Sequence, residues 1–291
     1  MTAFDRLLDA TIVHLEQLKE EGVSHLPISS TLLEQLQASP QPPRVVSKTS
    51  LETKKNETRP PEVLVPQAEA IPVQFGNSLS EEEKANALTH LRERADACMK
   101  CSNLAQSRKN VVFGVGSVNA DLMFVGEAPG MDEDAAGEPF VGKAGQLLTR
   151  IIETMGLNRE VVYIGNVLKC RPDTPGRRYG NRKPTLEEMV TCRPYLMEQI
   201  RIIRPKVLVA LGATAVEGLM GVSSVAITRY RGEFKDFGGI PLMPTYHPAY
   251  VLRNQSHRIK RQIWEDMLQV MTRLGMEISE KQQGYFSQPS S

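Results

Sequence analysis

The rhythm of hydrophobic and polar residues changes several times along this chain, and each rhythm predicts a different element. Phe4, Leu7, Leu8, Leu15 and Leu18 recur near helical spacing with charges between them, which predicts an amphipathic helix over residues 4–21. Leu32, Leu33 and Leu36 mark a second short helix. From Ser39 to about Ser78 the periodicity stops and Pro, Ser, Thr, Gln and Lys dominate, the composition of a disordered linker. Order resumes at Ser80-Glu81-Glu82-Glu83, a capping box that opens a helix running to about Ala97. Strands are then predicted at Leu122–Val125, Val161–Val167, Val207–Leu211 and Leu242–Thr245. Between and after them come helices over Ala144–Met155, from the capping box at Thr185 to Ile203, from Ala213, and over Arg258–Leu274.

Four short apolar strands alternating with helices imply an α/β fold whose mostly parallel sheet is covered on both faces. The chain thus divides into a helical segment over 1–38, a linker over 39–79, a main domain over 80–275 and a polar tail over 276–291. In such folds ligands gather beyond the carboxyl ends of the strands. That rule selects the loops 126–142, 166–184, 212–214 and 245–253. No internal repeat is evident.

Composition leaves this picture globular: 41% of the 291 residues are apolar. No apolar run approaches the ~18 residues of a membrane span, and the N-terminus lacks a signal-peptide pattern. A cytoplasmic protein with no membrane partner is expected. The formal net charge is only +1, but the number hides a split. Residues 1–84 carry 13 acidic and 8 basic side chains, net −5, while residues 85–291 carry 27 basic and 21 acidic, net +6. Lys169, Arg171, Arg177, Arg178, Arg182 and Lys183 crowd one segment opposed only by Asp173, a candidate phosphate-binding loop if it is more than solvated surface.

That segment lies between two of the four cysteines, Cys98, Cys101, Cys170 and Cys192. Structural disulfides do not suit the expected compartment. A redox C-x-x-C would open a helix after a strand, whereas Cys98-Met99-Lys100-Cys101 follows a helix. A four-thiolate site holding an iron–sulfur cluster or zinc, or simply unligated thiols, remain as readings.

Three loops carry candidate chemistry. Gly126-Glu127-Ala128-Pro129-Gly130-Met131-Asp132-Glu133-Asp134 follows a strand and crowds four carboxylates where a phosphate loop would carry lysine. Phe140, in a Gly/Pro-rich loop, is either core or a stacking platform for a base. Asn166 ends a strand that an amide does not favour, so it terminates the strand or reads a ligand. His247, in Thr245-Tyr246-His247-Pro248-Ala249, is the one histidine of five at a strand end.

GEAPG with Glu133-Asp134 following, GEPFVGKAGQLL, YIGNVLKCRP, NRKPTLEE followed by CRP, LVALGATA and TYHPA occur in this order and together resemble the type 4 uracil-DNA glycosylases. The resemblance covers residues 95–272. It implies a three-layer α/β/α sandwich, a 4Fe–4S cluster on Cys98, Cys101, Cys170 and Cys192, and excision of uracil flipped out of single- or double-stranded DNA. It further implies a pocket lined by Gly126, Glu127 and Ala128, Phe140 stacking on the base, Asn166 reading its edge and His247 donating to O2. For the carboxylate that stabilises the sugar cation and orients water, Glu133 is the first choice, with Asp134 and Glu127 open. Arg177, Arg178, Arg182 and Lys183 would contact DNA, and Leu252 and Arg253 would fill the hole left by the base, unless they simply end a short helix. The enzyme would act as a monomer, its N-terminal helix docking on the body or recruiting a repair or replication partner.

One departure stands out. The segment between Cys170 and Cys192 is longer than the family spacing through Asp173–Gly180. A related branch that crosslinks to uracil-DNA carries an Arg-rich insertion there with a histidine nucleophile, but this insertion has no histidine, so ordinary hydrolysis is expected. The competing readings are a glycosylase for another deaminated base, such as hypoxanthine or xanthine, and a DNA-binding relative without activity.

Overall fold

The computed structural model describes residues 79–174 and 180–287. The expected N-terminal helices and linker, with Arg177 and Arg178, lie outside the described residues. The first helix, α1 (Glu81–Asp96), begins at the expected capping box: the Ser80 hydroxyl accepts from Glu83 N–H at 3.3 Å and the Glu83 carboxylate accepts from Ser80 N–H at 2.7 Å. A short helix, α2 (Ser102–Ser107), leads to β1 (Val115–Gly116) and β2 (Leu122–Gly126). Next come α3 (Met131–Ala136), α4 (Lys143–Thr154), β3 (Tyr163–Asn166), α5 (Leu186–Ile203) and β4 (Val207–Leu211). Then follow α6 (Ala213–Met220), α7 (Ile227–Tyr230), β5 (Lys235–Phe237), β6 (Ile240–Thr245), α8 (Pro248–Arg253), α9 (His257–Arg273) and α10 (Glu280–Gln283).

The strands form one sheet in the order β1-β3-β2-β4-β6-β5, with parallel pairing among the inner four and antiparallel pairing at both edges. The sheet therefore has six strands, not the four expected. The extra strands are two and three residues long, Val115–Gly116 and Lys235–Phe237, too short to show any alternation of their own. Their pairing to an existing edge, not their sequence, makes them strands.

Alternation within the inner strands builds the layers. Met123, Val125, Leu208, Ala210 and Leu242 face one side and pack with Leu91 of α1, Leu196 and Ile200 of α5 and Leu219 of α6. Leu122, Phe124, Ile164, Val209 and Met243 face the other and pack with Leu148 and Ile152 of α4 and Trp264 and Met267 of α9. Two separate cores on opposite faces of one sheet constitute the three-layer α/β/α sandwich. Within the polar C-terminal segment α10 returns to α9, where Trp264 Nε1 donates to Gln282 O at 2.5 Å and Tyr285 meets the Trp264 ring edge-on. Among the described residues no helix is long and apolar enough to cross a membrane.

The chain leaves β2 to place β3 on one side of it and then crosses to place β4 on the other. The connections at the carboxyl ends of β2 and β4 diverge, opening a crevice there.

Candidate active site

A cleft of about 570 Å³ occupies that crevice. Its walls come from the loop after β2 (Glu127 to Glu133 and Phe140), from Asn166 at the end of β3, and from His247, Ala249 and Arg253 after β6. Gly126 lets three elements meet: a Cβ at this position would collide with Asn166 Oδ1 and the Phe140 ring. Phe140 itself has φ +56°, a strained conformation for a bulky residue. The Arg159 guanidinium holds it there, donating to Pro139 O at 2.7 Å and Phe140 O at 3.2 Å. Gly145 of α4 packs so close that a side chain would overlap the Phe140 carbonyl. Phe140 is thus both a core residue and a wall of the cleft, where sequence reasoning had posed these as alternatives.

Asn166 is 1% exposed, and neither its Oδ1 nor its Nδ2 has a hydrogen-bond partner. Leaving a buried polar atom unmet costs about 1–3 kcal/mol. One acceptor and two donors on the cleft wall are therefore free for a ligand that presents the complementary pattern.

His247 caps α8: its Nδ1 accepts from Ala249 N–H at 3.1 Å. An accepting Nδ1 places the proton of the neutral ring on Nε2. Burial, with a smaller contribution from the Arg253 charge, pushes its pKa down to about 4. The ring therefore stays neutral near pH 7 and offers a fixed N–H donor beside Phe140, their centroids 5.7 Å apart.

The four carboxylates of the first loop have different tasks. Glu133 binds the loop to itself, accepting from Gly130 N–H, Val141 N–H and Gly142 N–H, each at 3.0 Å. Asp134 is buried behind the loop, accepting from Lys109 N–H at 2.9 Å, and does not line the cleft. The structure does not bring it to the site as expected, because its side chain leaves α3 on the side of the 109–110 turn. Glu127 lines the cleft; burial raises its pKa, opposed by the Thr214 hydroxyl and the Lys183 charge. Asp132 lines the cleft at its exposed rim. Sequence reasoning noted it only as one acid among four and missed Lys143 and Asn181, also on the wall. Lys143 opens α4 directly after the GEPFVG loop, the one signal that could have found it.

The basic segment is more neutralised than its sequence suggests. Arg182 lines the cleft but donates from both terminal guanidinium nitrogens to Glu188, at 2.5 and 2.8 Å. Lys183 pairs with Glu217 at 2.8 Å and stands off the cleft. Arg253 is exposed on the cleft wall at the end of α8. Leu252 is not on that wall; it turns into a separate apolar hollow of about 320 Å³ with Leu147, Ile151 and Trp264.

The four cysteines are free and half-buried, drawn together from the α1–α2 turn, the loop after β3 and the second turn of α5. Arg108 donates to Cys170 Sγ at 3.2 Å, and Lys169 N–H donates to Cys192 Sγ at 3.3 Å. Burial pushes the Cys192 thiol up to about 12 and also raises Cys170 and Cys101. Repulsion adds to this: Cys101 feels Cys170 and Cys98, and Cys192 feels Cys170 and Cys101, so the sulfurs share one neighbourhood. Among the described residues no group of three His, Cys, Asp or Glu side chains gathers closely enough for a single metal ion.

Comparison with known proteins agrees with this architecture. Residues 113–268 match the family model described as the uracil DNA glycosylase superfamily. A type-4 uracil-DNA glycosylase of Thermotoga maritima is 47% identical over 176 residues, 60% of this chain and 88% of the relative. One from Archaeoglobus fulgidus is 46% identical over 163 residues, covering 54% and 78%. One from Sulfurisphaera tokodaii is 44% identical over 182 residues, covering 60% and 79%. A type-5 enzyme of Pyrobaculum aerophilum is only 28% identical over 150 residues, covering 46% of this chain and 63% of the relative. With a matched core that spans both layers of helices and the whole cleft, the chain belongs to the uracil-DNA glycosylase superfamily and, within it, to the type-4 family.

Proposed function

We propose that this protein hydrolyses the N-glycosidic bond of uracil in DNA, leaving an abasic site for repair. The observation that carries the reading is the buried, unpartnered amide of Asn166 facing a cleft between Phe140 and the neutral His247. The base has to leave the stack to be reached. Asn166 Oδ1 then accepts from uracil N3–H while Nδ2 donates to O4; cytosine presents the opposite pattern and leaves the amide unmet, a mismatch worth roughly 10⁴ in discrimination. Phe140 stacks on the ring. As the C1′–N1 bond breaks, its electron pair moves into the pyrimidine and His247 Nε2–H donates to the charge growing on O2. Water adds at C1′, and the proton it loses ends on the uracil anion, leaving free uracil and the abasic sugar.

Glu127 orients that water; its position on the cleft wall and a pKa raised by burial, which makes it a stronger base, support this role. Glu133 shapes the loop instead, since three backbone donors already occupy its oxygens. Arg253 and Lys143 supply charge for phosphates at the rim; each phosphate neutralised adds about −0.9 to the salt slope on duplex DNA.

Cys98, Cys101, Cys170 and Cys192 fit a 4Fe–4S cluster. Four cysteine sulfurs in one neighbourhood are the donor set of such a cluster, one thiolate for each iron. When bound, the cluster supplies four iron–thiolate bonds that tie the α1–α2 turn to the loop after β3 and to α5.

Abasic-site formation on single-stranded, U:G and U:A oligonucleotides tests the reading. Release of uracil from the wild type and its loss in Asn166→Asp are expected. No release, or equal release of cytosine or hypoxanthine, would overturn it. A protein–DNA band surviving heat and detergent would refute simple hydrolysis.

A further inference from the structure

Lys169 is the most buried cation in the described structure, 2% exposed, inside a domain whose other lysines lie at its surface or half-exposed. An ammonium without water is costly, and no carboxylate among the described residues bonds to it. Its Nζ donates instead to Gln199 Oε1 at 2.6 Å and to the main-chain carbonyl of Asn166 at 2.9 Å. Gln199 is held in turn, its Nε2 donating to Phe113 O and to Tyr163 Oη, both at 2.9 Å. Lys169, Gln199, Phe113 and Tyr163 do not line the cleft, and the mechanism above uses none of them.

Their geometry bears on the peptide unit between Asn166 and Val167. Its N–H end is fixed by the sheet, Val167 N–H donating to Gly126 O at 3.0 Å. Its carbonyl end belongs to Asn166, the last paired residue of β3, and is fixed by Lys169. With both ends of the peptide pinned, the Cα–Cβ direction of Asn166 is set, although the Asn166 amide itself makes no bond that could orient it. An amide that must present one acceptor and one donor to a base edge within hydrogen-bond tolerance needs its backbone fixed in this way.

We infer that Lys169 is a positioning residue for base recognition, the buried ammonium aligning the Asn166 amide through the Asn166 carbonyl. The inference rests on Asn166 reading the base, and a double-mutant cycle separates the two claims. Full-length Lys169→Met, Asn166→Ala and the double variant would be compared by single-turnover kcat/KM on a uracil-containing single-stranded oligonucleotide. Iron content and Tm would be measured on each. Lys169→Met is expected to lower kcat/KM at least about tenfold alone and less than about twofold in the Asn166→Ala background, because the amide it aligns is already gone. Equal losses in both backgrounds would make Lys169 purely structural and overturn the inference, as would no loss in either. If Asn166→Ala itself left kcat/KM unchanged, the reading of Asn166 would fall first and the inference with it. Should Lys169→Met fail to fold, Lys169→Gln provides a shorter neutral donor to the same carbonyl. The same background-dependent loss, smaller in size, is then expected, and a background-independent loss would overturn the inference.

Discussion

Replacing His247 with asparagine separates two tasks that one ring performs. Its Nδ1 caps α8 by accepting from Ala249 N–H, and its Nε2 proton faces the cleft. Asparagine is among the best N-caps, so His247→Asn keeps the first task and loses the second; alanine loses both, at a further cost of about 1 kcal/mol in stability. Loss of one donor to a developing oxyanion lowers the rate by roughly 10²–10³, equivalent to about 2.7–4 kcal/mol. Single-turnover release of uracil from an oligonucleotide, with thermal melting in parallel, should show this fall in rate with Tm almost unchanged. The pH dependence adds a second test. With the pKa of His247 pushed from 6.5 to about 4, the folded protein binds fewer protons than the unfolded chain between those values. Stability from this residue is full above pH 6.5, falls as pH drops toward 4 and amounts to about 3 kcal/mol. The rate, by contrast, should show no limb near 6.5, since the ring is already neutral there. A rate for His247→Asn within threefold of wild type, or a wild-type limb near pH 6.5 abolished by the substitution, would refute the neutral-donor argument.

Further outcomes follow from the same geometry. Glu127→Gln should lower uracil release with little change in Tm, whereas Glu133→Ala, which leaves three backbone N–H groups unmet, should lower Tm and activity together. Asp266 is fully buried and accepts from Thr245 Oγ1 at 2.5 Å and Arg231 Nε at 2.8 Å, so Asp266→Ala leaves the Arg231 charge unpaired. Denaturant titration should show a loss of roughly 3–5 kcal/mol. Substituting serine for Cys170 should abolish bound iron in an iron assay and remove the brown colour. Deleting residues 1–78 should keep activity and strengthen nonspecific DNA binding at low salt; unchanged binding would show that the acidic segment does not oppose the DNA surface.

Legibility from sequence differed by the range of the interactions involved. The inner strands and long helices announced themselves because each is made by its own apolar rhythm and caps: Ser80 and Thr185 open their helices through bonds to residues three positions on. The cleft loops were legible because strands alternating with helices put ligands at the carboxyl ends. Asn166 then stood out as an amide that strands do not favour, and His247 as the one histidine of five at a strand end. The two edge strands were not legible, because two or three residues become a strand only when a neighbour offers a free edge.

The same distinction runs through the site. Sequence alone determined which side chains the cleft has to choose from, and in what order they arrive. It did not determine how the four acids between residues 127 and 134 divide their tasks, since the turn of α3 sends Asp134 inward to the 109–110 backbone while Glu133 folds back on its own loop. Nor did it determine that Arg182 and Lys183 would spend their charge on Glu188 and Glu217, or that Lys169 would turn inward to hold Asn166. Hydrogen-bond partners and burial are set by residues far apart in the chain, and only the tertiary fold brings those residues within bonding distance.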